Sequence, residues 1–371
     1  MLTQFIPQLV SGVALTYSQV AEAVAELTGE KASVETKADF LMALAQKGET
    51  TEEITAFARE LRDRSLELPL DLETRQREIL DVCGTGGDRL NTFNISTTVA
   101  LVASSAGITV AKHGNRAITS QAGSADVLEA LGIRIDLTPD EAAESLRERQ
   151  FAFLFAPNYH PAFKHLGPAR RLCAERGQRT IFNFLGPLLN PVRPSAQLVG
   201  VPIPSLCEPI ARVLQSLNVR RALVVSGRVD LELPRPTSDA PRNDSGLTPG
   251  TAYLDEFSTL GANTVAEFYQ DHGFSTSSLL PENFPVRPAT LGDLAGGDRE
   301  TNAAIVRRLI TGEDRGPKRD AVLLNAGAAL FVAGSVRSLT EGWELAAELI
   351  DRGTAKAKLA ELTAFRVKTR V

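Results

Sequence analysis

The sequence has few cysteines, no excess of positive charge and no long apolar run, and each of these absences excludes a class of protein. The three cysteines, Cys83, Cys173 and Cys207, are too few and too scattered for a disulfide framework or a zinc site, which fits a reducing compartment. The formal net charge of −5 provides no broad positive field, so nucleic-acid binding is not expected. The most apolar stretch, Ile95 to Ala111, is broken by Ser, Thr and Gly and is too short to cross a membrane.

Histidine clusters and targeting signals are also lacking. His160 and His165 have no acidic or thiol partner nearby in the sequence, so we expect no metal site there. The first twenty residues show neither a basic start nor an A-x-A-like cleavage site. We therefore expect a soluble cytoplasmic protein with no membrane or nucleic-acid partner.

The composition is that of a globular enzyme large enough for two domains, with 371 residues of which 43% are hydrophobic and 23% charged. The first 67 residues carry apolar positions at helical spacing. From residue 78 the pattern changes to strand, loop and helix in alternation, which is typical of a parallel α/β domain. We predict an α/β protein with a small N-terminal helical domain over 1–72, on which part of 165–193 packs. The larger α/β domain, over 73–371, has a mostly parallel central sheet flanked by helices.

The pattern also predicts individual elements. The predicted strands are Ile79–Cys83, Ile108–Ala111, Phe151–Phe155, Gln197–Val201 and Ala222–Val225. The predicted helices are Tyr17–Leu27, Lys37–Lys47, Ile54–Ser65, Ala125–Leu131, Pro139–Arg149 and Cys207–Leu217. Residues 228–252 are rich in Pro, Asp, Arg, Ser and Gly, and we interpret them as a surface insertion.

A glycine-rich loop follows the first predicted strand. Gly84, Gly86 and Gly87 fall within four positions, and Asn94-Ile95-Ser96-Thr97 then opens an apolar segment. A strand, a glycine turn and a hydroxyl-rich helix start are the layout of a loop whose backbone N–H groups bind phosphate. The loop matches neither the dinucleotide fingerprint nor the P-loop, so taken alone it is equally well a tight strand-to-helix connection.

A second polar loop follows the next strand and strengthens the phosphate interpretation. It contains Lys112-His113-Gly114-Asn115-Arg116 and then residues 119–124, with Ser124 as a good N-cap for the following helix. If the two strands are parallel and adjacent, both loops lie at the carboxyl edge of the sheet, where α/β proteins bind ligands. Two neighbouring anion sites suit a ligand with phosphate at both ends.

Several separated motifs resemble those of the anthranilate phosphoribosyltransferase family, in the same order along nearly the whole chain. They are Gly84-Thr85-Gly86-Gly87-Asp88, Asn94-Ile95-Ser96-Thr97, Lys112-His113-Gly114-Asn115-Arg116, Gly123-Ser124-Ala125-Asp126, Arg179-Thr180-Ile181-Phe182-Asn183 and Leu254-Asp255-Glu256. The resemblance implies Mg²⁺-dependent transfer of the 5-phosphoribosyl group from phosphoribosyl pyrophosphate (PRPP) to the amino group of anthranilate. This reaction releases diphosphate and belongs to tryptophan biosynthesis. A phosphoribosyltransferase with another acceptor, a pyrimidine nucleoside phosphorylase and a non-catalytic relative stay open, because one fold serves several functions.

The resemblance also implies which residues form the site. PRPP would be bound by Gly84, Gly87, Asp88, Thr92, Asn94, Ser96, Thr97, Lys112, Ser120 and Ser124. Anthranilate would lie beside Gly84, Asn115 and Arg170, since Arg170 can pair with its carboxylate and Asn115 can accept from its amino group. Mg²⁺ would be held by Ser96, Asp255 and Glu256. His113 would either relay a proton or form part of the acceptor pocket wall.

Plainer readings of these residues stand beside the functional ones. Asp255 and Glu256 could form an ordinary solvated turn, and Arg170 could belong to a surface helix pair. Asp298 and Asn302 follow a Gly-Gly turn and are expected to form an N-cap arrangement near the site.

The sequence departs from the family pattern in one region. Ser226 stands where the family often has His, Tyr253 stands where it usually has Gly, and the insertion lies between them. These changes flank the acidic pair, so they affect the metal geometry and the acceptor more than the phosphate loops. The family also implies a homodimer through the N-terminal helices, with which the apolar faces around Phe5, Val20 and Val24 are compatible.

Overall fold

The computed structural model describes residues 1–117, 121–231, 250–270 and 273–365. Within these ranges one sheet of eight strands is surrounded by fifteen α-helices and several short 3₁₀ turns. The strands are β1 (Ile79–Gly84), β2 (Thr109–Gly114), β3 (Phe151–Phe155), β4 (Ala196–Gly200), β5 (Arg221–Asp230), β6 (Thr251–Leu254), β7 (Asn263–Tyr269) and β8 (Gly273–Leu279).

The helices fall into an N-terminal group and a group that packs on the sheet. The first group is α1 (Ile6–Val10), α2 (Tyr17–Thr28), α3 (Val34–Lys47), α4 (Thr51–Arg62) and α5 (Leu72–Gln76). The second group is α6 (Ile95–Ser105), α7 (Ser124–Leu131), α8 (Pro139–Arg149), α9 (Ala156–Tyr159), α10 (Gly167–Glu175), α11 (Cys207–Ser216), α12 (Arg299–Ile310), α13 (Pro317–Val332), α14 (Leu339–Asp351) and α15 (Thr354–Thr363). None of the helices in the described ranges is long and apolar enough to span a membrane.

Side-chain caps decide where the N-terminal helices begin. Thr50 accepts from the backbone N–H of Glu53, and the Glu53 carboxylate accepts from Thr50 in return. This capping box starts α4 at Thr51, three residues before the predicted start. Ser33 caps α3 in the same way, so that helix also begins three residues earlier than its apolar pattern predicts.

The sheet confirms a mostly parallel α/β fold. Its order is β3-β2-β1-β4-β5-β7-β8, with β6 also paired to β5. The four neighbouring pairs from β3 to β5 are parallel, whereas β6 and β7 pair with β5, and β8 with β7, in antiparallel orientation. The five predicted strands are the parallel ones. The antiparallel extension was not predicted.

The surface insertion at 228–252 stays a prediction, because the structure describes only its two ends. β5 continues to Asp230, and its last residues pair with β6 from Gly227–Leu254 to Asp230–Thr251. The ends therefore form an antiparallel two-stranded ribbon of β5 and β6 that continues from the sheet. Residues 232–249 lie outside the described ranges.

The two faces of the sheet bury different hydrophobic cores. Along β5, Leu223 and Val225 face a first core built with α6, α7 and α12–α15. Ala222 and Val224 face a second core, built by the N-terminal helices α1–α4 together with α10, α11 and the 181–189 segment. A hydrogen bond joins α3 to the segment just before α10, since the Lys37 ammonium donates to the carbonyl of His165 at 3.1 Å. The boundary between 1–72 and 73–371 stays a prediction.

Candidate active site

The two polar loops predicted from the sequence lie side by side. β1 and β2 are parallel neighbours, so Gly84 and Gly114 end adjacent strands at the same edge of the sheet. The side-chain amide of Asn94, after the first loop, donates to the carbonyl of Ala122 in the second loop at 3.3 Å. The structure thus brings both loops to one edge, as the parallel arrangement predicts.

The backbone of the first loop adopts the left-handed region repeatedly. Gly86 and Gly87 have φ values of 78° and 89°, which glycine reaches at no steric cost. Arg89 and Asn91 have φ values of 60° and 52°, which other residues seldom adopt. Such strain is typical of ligand-binding loops, because the surrounding structure must hold the chain there.

The helix that follows this loop has no side-chain cap at its N-terminus. Asn94 is the N-cap of α6, but its side chain makes no cap hydrogen bond. Its Oδ1 instead accepts from the side-chain amide of Asn302 at 2.9 Å. Within the first turn, the N–H of Ile95 donates to the carbonyl of Phe93 and the N–H of Ser96 donates to Glu256, so the protein itself occupies part of this helix start.

The acidic pair faces this loop and this helix. The Oδ2 atom of Asp255 accepts from the backbone N–H of Gly86 at 2.7 Å. The Oε1 atom of Glu256 accepts from the backbone N–H of Ser96 at 3.1 Å. Both residues are half-buried. An ordinary solvated turn is therefore the wrong reading of this pair.

Burial and neighbouring carboxylates raise the pKa of both carboxyl groups. The pKa of Asp255 lies well above its usual range because of burial, then because of the nearby charges of Asp88 and Glu256. Burial raises the pKa of Glu256 to about 7, although the Lys112 ammonium opposes the shift. The positive charges and hydrogen-bond donors of the protein thus do not fully offset the cost of ionising both carboxyl groups.

These residues fit a hard divalent cation. Asp255, Glu256 and the Ser96 hydroxyl provide only oxygen ligands, and a cation would remove the penalty that raises both pKa values. Within the described ranges there is no group of three or more His, Cys, Asp or Glu residues able to hold a metal. Mg²⁺ is commonly held by one or two carboxylates together with substrate phosphates, and Asp255 and Glu256 would provide the carboxylates.

Lys112 lies beneath the first loop rather than on its surface. Its side chain is buried, and its Nζ atom donates to the carbonyl of Val82 at 2.6 Å and to the Ser96 hydroxyl at 3.3 Å. Burial lowers the pKa of Lys112, and the charges of Asp81 and Glu256 act in the opposite direction. Lys112 therefore supports Ser96 and places positive charge close to the acidic pair.

Sequence analysis missed the contribution of Asp81. This residue is fully buried in β1, and burial raises its pKa to about 6. Its carboxylate accepts from the backbone N–H of His113 at 3.3 Å and from the side-chain amide of Asn190 at 2.9 Å. A charged residue inside an apolar strand was the available signal. Asp81 thereby joins β1, the second loop and the 181–193 segment behind the site.

The other residues predicted to bind PRPP take different positions. Asp88 accepts from the backbone N–H of Leu90 at 3.1 Å and so shapes the first loop. Thr92 forms an isolated bridge with Ala295. Thr97 is completely buried, and its hydroxyl has no partner in the described part of the chain, so it does not reach the open edge.

In the second loop, the predicted cap is displaced by one residue. Gly123 is the N-cap of α7, and Ser124 is its first helical residue. The Ser124 hydroxyl donates to the backbone carbonyl of Asn115 at 3.3 Å, which closes the loop on itself. Ser120 lies outside the described ranges. Of the predicted cap at Asp298 and Asn302, Asp298 caps α12, whereas Asn302 bridges Gly297 and Asn94.

The guanidinium of Arg170 is half-buried and has no acidic partner among the described residues. It lies 5.3 Å from the ring centroid of Phe182, a cation–π contact. Burial lowers the pKa of Arg170, as expected for a charge that no carboxylate compensates. Arg170 is therefore available to an anionic ligand. Asn115 is exposed, and its Oδ1 accepts from the backbone N–H of Arg116 at 2.8 Å.

An aromatic wall, formed by His113, His160, Phe163 and Phe182, leads from the second loop to Arg170. Neighbouring ring centroids along this wall are 5.1, 5.2 and 5.8 Å apart. The Nε2 atoms of His113 and His160 are 3.2 Å apart, and both rings are buried. Burial, followed by the neighbouring His160, lowers the pKa of His113 to about 3. His113 is thus a weak base at neutral pH, which favours a wall over a proton relay.

Known families and proteins match this chain along nearly its whole length. The model described as "Glycosyl transferase family, helical bundle domain" matches residues 3–65, and "Glycosyl transferase family, a/b domain" matches 76–241 and 237–356. The anthranilate phosphoribosyltransferase of Symbiobacterium thermophilum is 44% identical over 98% of this chain and 97% of its own length. That of Lacticaseibacillus casei is 44% identical over 99% of this chain and 98% of its own length.

Solved structures show the same relationship. Anthranilate phosphoribosyltransferase from Thermus thermophilus has a TM-score of 0.82 and 39% identity, covering 97% of this chain and 98% of the other. The enzyme from Saccharomyces cerevisiae in complex with PRPP and Mg has a TM-score of 0.80 and 26% identity, covering 98% and 96% of the two chains. The chain therefore belongs to the glycosyl transferase family with a helical bundle and an a/b domain and, within it, to the anthranilate phosphoribosyltransferases.

Proposed function

We propose that this chain transfers the 5-phosphoribosyl group of PRPP to the amino group of anthranilate with the help of Mg²⁺, in the cytoplasm. The observation that carries the proposal is the convergence of three elements on one sheet edge. Asp255 accepts from Gly86 of the first loop, and Glu256 accepts from Ser96 at the start of α6. The names of the relatives support the identity of the substrates, and these two contacts support the proposed position of the metal.

The phosphate groups of PRPP would lie against the two loops. The first loop offers backbone N–H groups, and the positive end of the α6 dipole lies beside it, which favours an anion without any side-chain charge. Lys112, below Ser96, adds a full positive charge to the same place. Mg²⁺ held by Ser96, Asp255 and Glu256 would neutralise the charge that develops on the departing diphosphate.

The acceptor would lie between the second loop and the aromatic wall. Arg170, which lacks a partner among the described residues, would pair with the carboxylate of anthranilate. Asn115 lies at the far end of the wall, beside the loop, where it can accept from the amino group. The wall would hold the aromatic ring and would exclude water from the reacting carbon.

Positioning and electrostatics account for the rate without a dedicated base. An aromatic amine is an uncharged nucleophile at neutral pH, so attack on an oxocarbenium-like ribosyl carbon needs alignment more than proton removal. The low pKa of His113 agrees with this, since a neutral and weakly basic imidazole cannot hold the released proton. The proton would then leave to water.

We also propose a homodimer through the N-terminal helices, on a different surface from the one the sequence suggested. Phe5, Val20 and Val24 are buried inside the bundle, so they cannot form an interface. Val10 and Val13 are exposed by 74% and 53%, and these residues at the end of α1 offer an apolar surface. Sedimentation of the wild type and of a V10D/V13D variant tests this proposal.

A fluorescence assay tests the proposed reaction directly. The protein is incubated with PRPP, Mg²⁺ and anthranilate, and the loss of anthranilate fluorescence is followed. We expect consumption that requires all three components and that releases diphosphate in equal amount. Absence of turnover, combined with phosphate-dependent cleavage of a pyrimidine nucleoside, would instead identify a phosphorylase. Binding of PRPP without turnover of any amine would identify a non-catalytic relative.

A further inference from the structure

Three glycines lie where the acidic pair crosses the sheet, since Gly84 ends β1, Gly200 ends β4 and Gly227 lies within β5. Gly84 of β1 and Gly200 of β4 are direct partners in the ladder, and Gly227 lies further along β5. The chain from Asp255 to Ser258 runs across these three residues, which we call the glycine shelf. The shelf therefore lies under the acidic pair.

The contacts on the shelf are too close for any side chain. A Cβ atom on Gly200 would lie 1.5 Å from the carbonyl oxygen of Asp255, and one on Gly84 would lie 2.1 Å from its Oδ2 atom. A Cβ atom on Gly227 would lie 2.5 Å from the carbonyl oxygen of Glu256. None of the three glycines has a positive φ, so the backbone conformation does not require glycine. The missing Cβ atom itself is what each position provides.

Two buried asparagines bind the backbone of the same segment through their side-chain amides. The side chain of Asn325, in α13, accepts from the N–H of Phe257 and donates to its carbonyl, both at 2.9 Å. Asn263, in β7, accepts from the N–H of Ser258 at 2.7 Å and donates to its carbonyl at 3.0 Å. Both asparagines are completely buried. Each therefore fixes both backbone polar groups of one residue, in an environment where water cannot replace the lost bonds.

We propose that Gly200, Gly227, Asn263 and Asn325 are positioning residues for the metal-binding pair. In this proposal they touch neither PRPP nor the metal. They act by fixing the backbone of the segment that carries Asp255 and Glu256. The inference depends on the proposed function, because it takes these two carboxylates as the Mg²⁺ ligands. It adds residues on β4, β5, β7 and α13 to a site that the sequence motifs place on loops alone.

The test compares two glycine-to-alanine variants that differ only in their surroundings. In G200A the new methyl group meets the Asp255 backbone, whereas in G292A the nearest atom is the Thr290 hydroxyl at 3.5 Å, an ordinary contact. PRPP affinity is measured by calorimetry without metal and with saturating Mg²⁺, and thermal unfolding is recorded for each variant. Changes in the support of metal ligands commonly cost about 10- to 100-fold in metal affinity. We expect G200A to lose at least about tenfold of the Mg²⁺-dependent gain in affinity while metal-free binding is kept. G292A should match the wild type.

The outcomes separate the inference from the function on which it rests. If the wild type shows no Mg²⁺-dependent gain in PRPP affinity, the proposed function fails. If the wild type shows the gain and folded G200A keeps all of it, the positioning role is refuted. An equal loss of affinity with and without Mg²⁺ would also refute it, because general damage to the fold acts on both. Should G200A not fold, N325A decides in the same assay, since it removes two hydrogen bonds to Phe257 without adding an atom.

Discussion

Substitution of Arg170 by alanine should weaken the acceptor and leave PRPP almost unaffected. The guanidinium is half-buried, has no carboxylate partner in the described ranges, and lies against the ring of Phe182. The cost of burying the charge is therefore already present in the free enzyme. A carboxylate that arrives at this guanidinium gains a charge-assisted hydrogen bond without further desolvation of Arg170.

The size of the effect follows from this bond. Hydrogen bonds to charged groups contribute about 1.5–3 kcal/mol, and each 1.4 kcal/mol corresponds to about a factor of ten. We therefore expect R170A to lower kcat/KM for anthranilate by roughly 10- to 150-fold, mostly through KM. Because Arg170 lies at the end of the aromatic wall away from the two loops, the KM for PRPP should stay close to the wild-type value.

Aniline, which is anthranilate without its carboxylate, makes the assay specific. Diphosphate release is measured with both acceptors for the wild type, for R170A and for R171A. Arg171 is exposed, so R171A is the matched control on the same helix and should resemble the wild type. The wild type should prefer anthranilate strongly, and R170A should lose that preference by the same factor by which it loses kcat/KM for anthranilate.

Two results would refute the reasoning. If R170A weakens aniline and anthranilate equally, Arg170 does not read the carboxylate and only supports the pocket. If the KM for PRPP rises as much as the KM for anthranilate, the acceptor is placed wrongly. Either result would mean that anthranilate does not bind beside the aromatic wall as proposed.

Three further predictions concern the acidic pair, Asp81 and the insertion. D255N/E256Q should abolish Mg²⁺-dependent turnover but keep or raise the melting temperature at neutral pH, because neutral amides escape the burial penalty that raises both pKa values; a lower melting temperature would contradict this. Folding raises the pKa of Asp81 from 3.8 to about 6, so as pH increases the unfolded state loses this proton before the folded state does. The stability of the wild type therefore falls as pH rises from 3.8 to about 6. Urea unfolding should therefore show D81N gaining up to about 3 kcal/mol relative to the wild type between about pH 4 and pH 7, and parallel pH profiles would disprove it. Replacing residues 232–249 by Asn-Gly should preserve the melting temperature, because the bond from the N–H of Leu231 to the carbonyl of Gly250 already closes the ribbon; a large decrease would contradict the surface interpretation.

The sequence predicted the parallel part of the fold better than the antiparallel part. The five parallel strands are apolar runs, and the first four of them along the chain are followed by helices, a pattern with strong local signals. β8 is different, since most of its residues are polar and exposed, and pairing with β7 alone defines it as a strand. β5 continues beyond Val225 for a similar reason, because antiparallel pairing with β6 and β7 extends a strand whose apolar run has already ended.

The site could be predicted wherever a residue belongs to a short motif. Gly84, Asp255 and Glu256 belong to such motifs, and the structure brings them together. Asp81 and Asn325 could not be found in this way, because their role depends on partners far along the chain. Single buried polar residues within apolar elements give only a weak signal, since many such residues merely satisfy nearby backbone groups.

The second core, which α1–α4 share with α10, α11 and one face of the sheet, bears on how the enzyme can be divided and how it can move. The helical bundle matches a family model of its own, yet Phe57 and Leu61 pack in the same cluster as Leu214 of α11. If residues 1–65 were expressed alone, the apolar residues that pack against α10, α11 and the sheet would be exposed to water. This fragment should aggregate or form a molten globule. If the helical bundle moves against the sheet when substrate binds, it should do so by sliding of packed helices. A hinge-like separation would expose the apolar residues of the shared core to water.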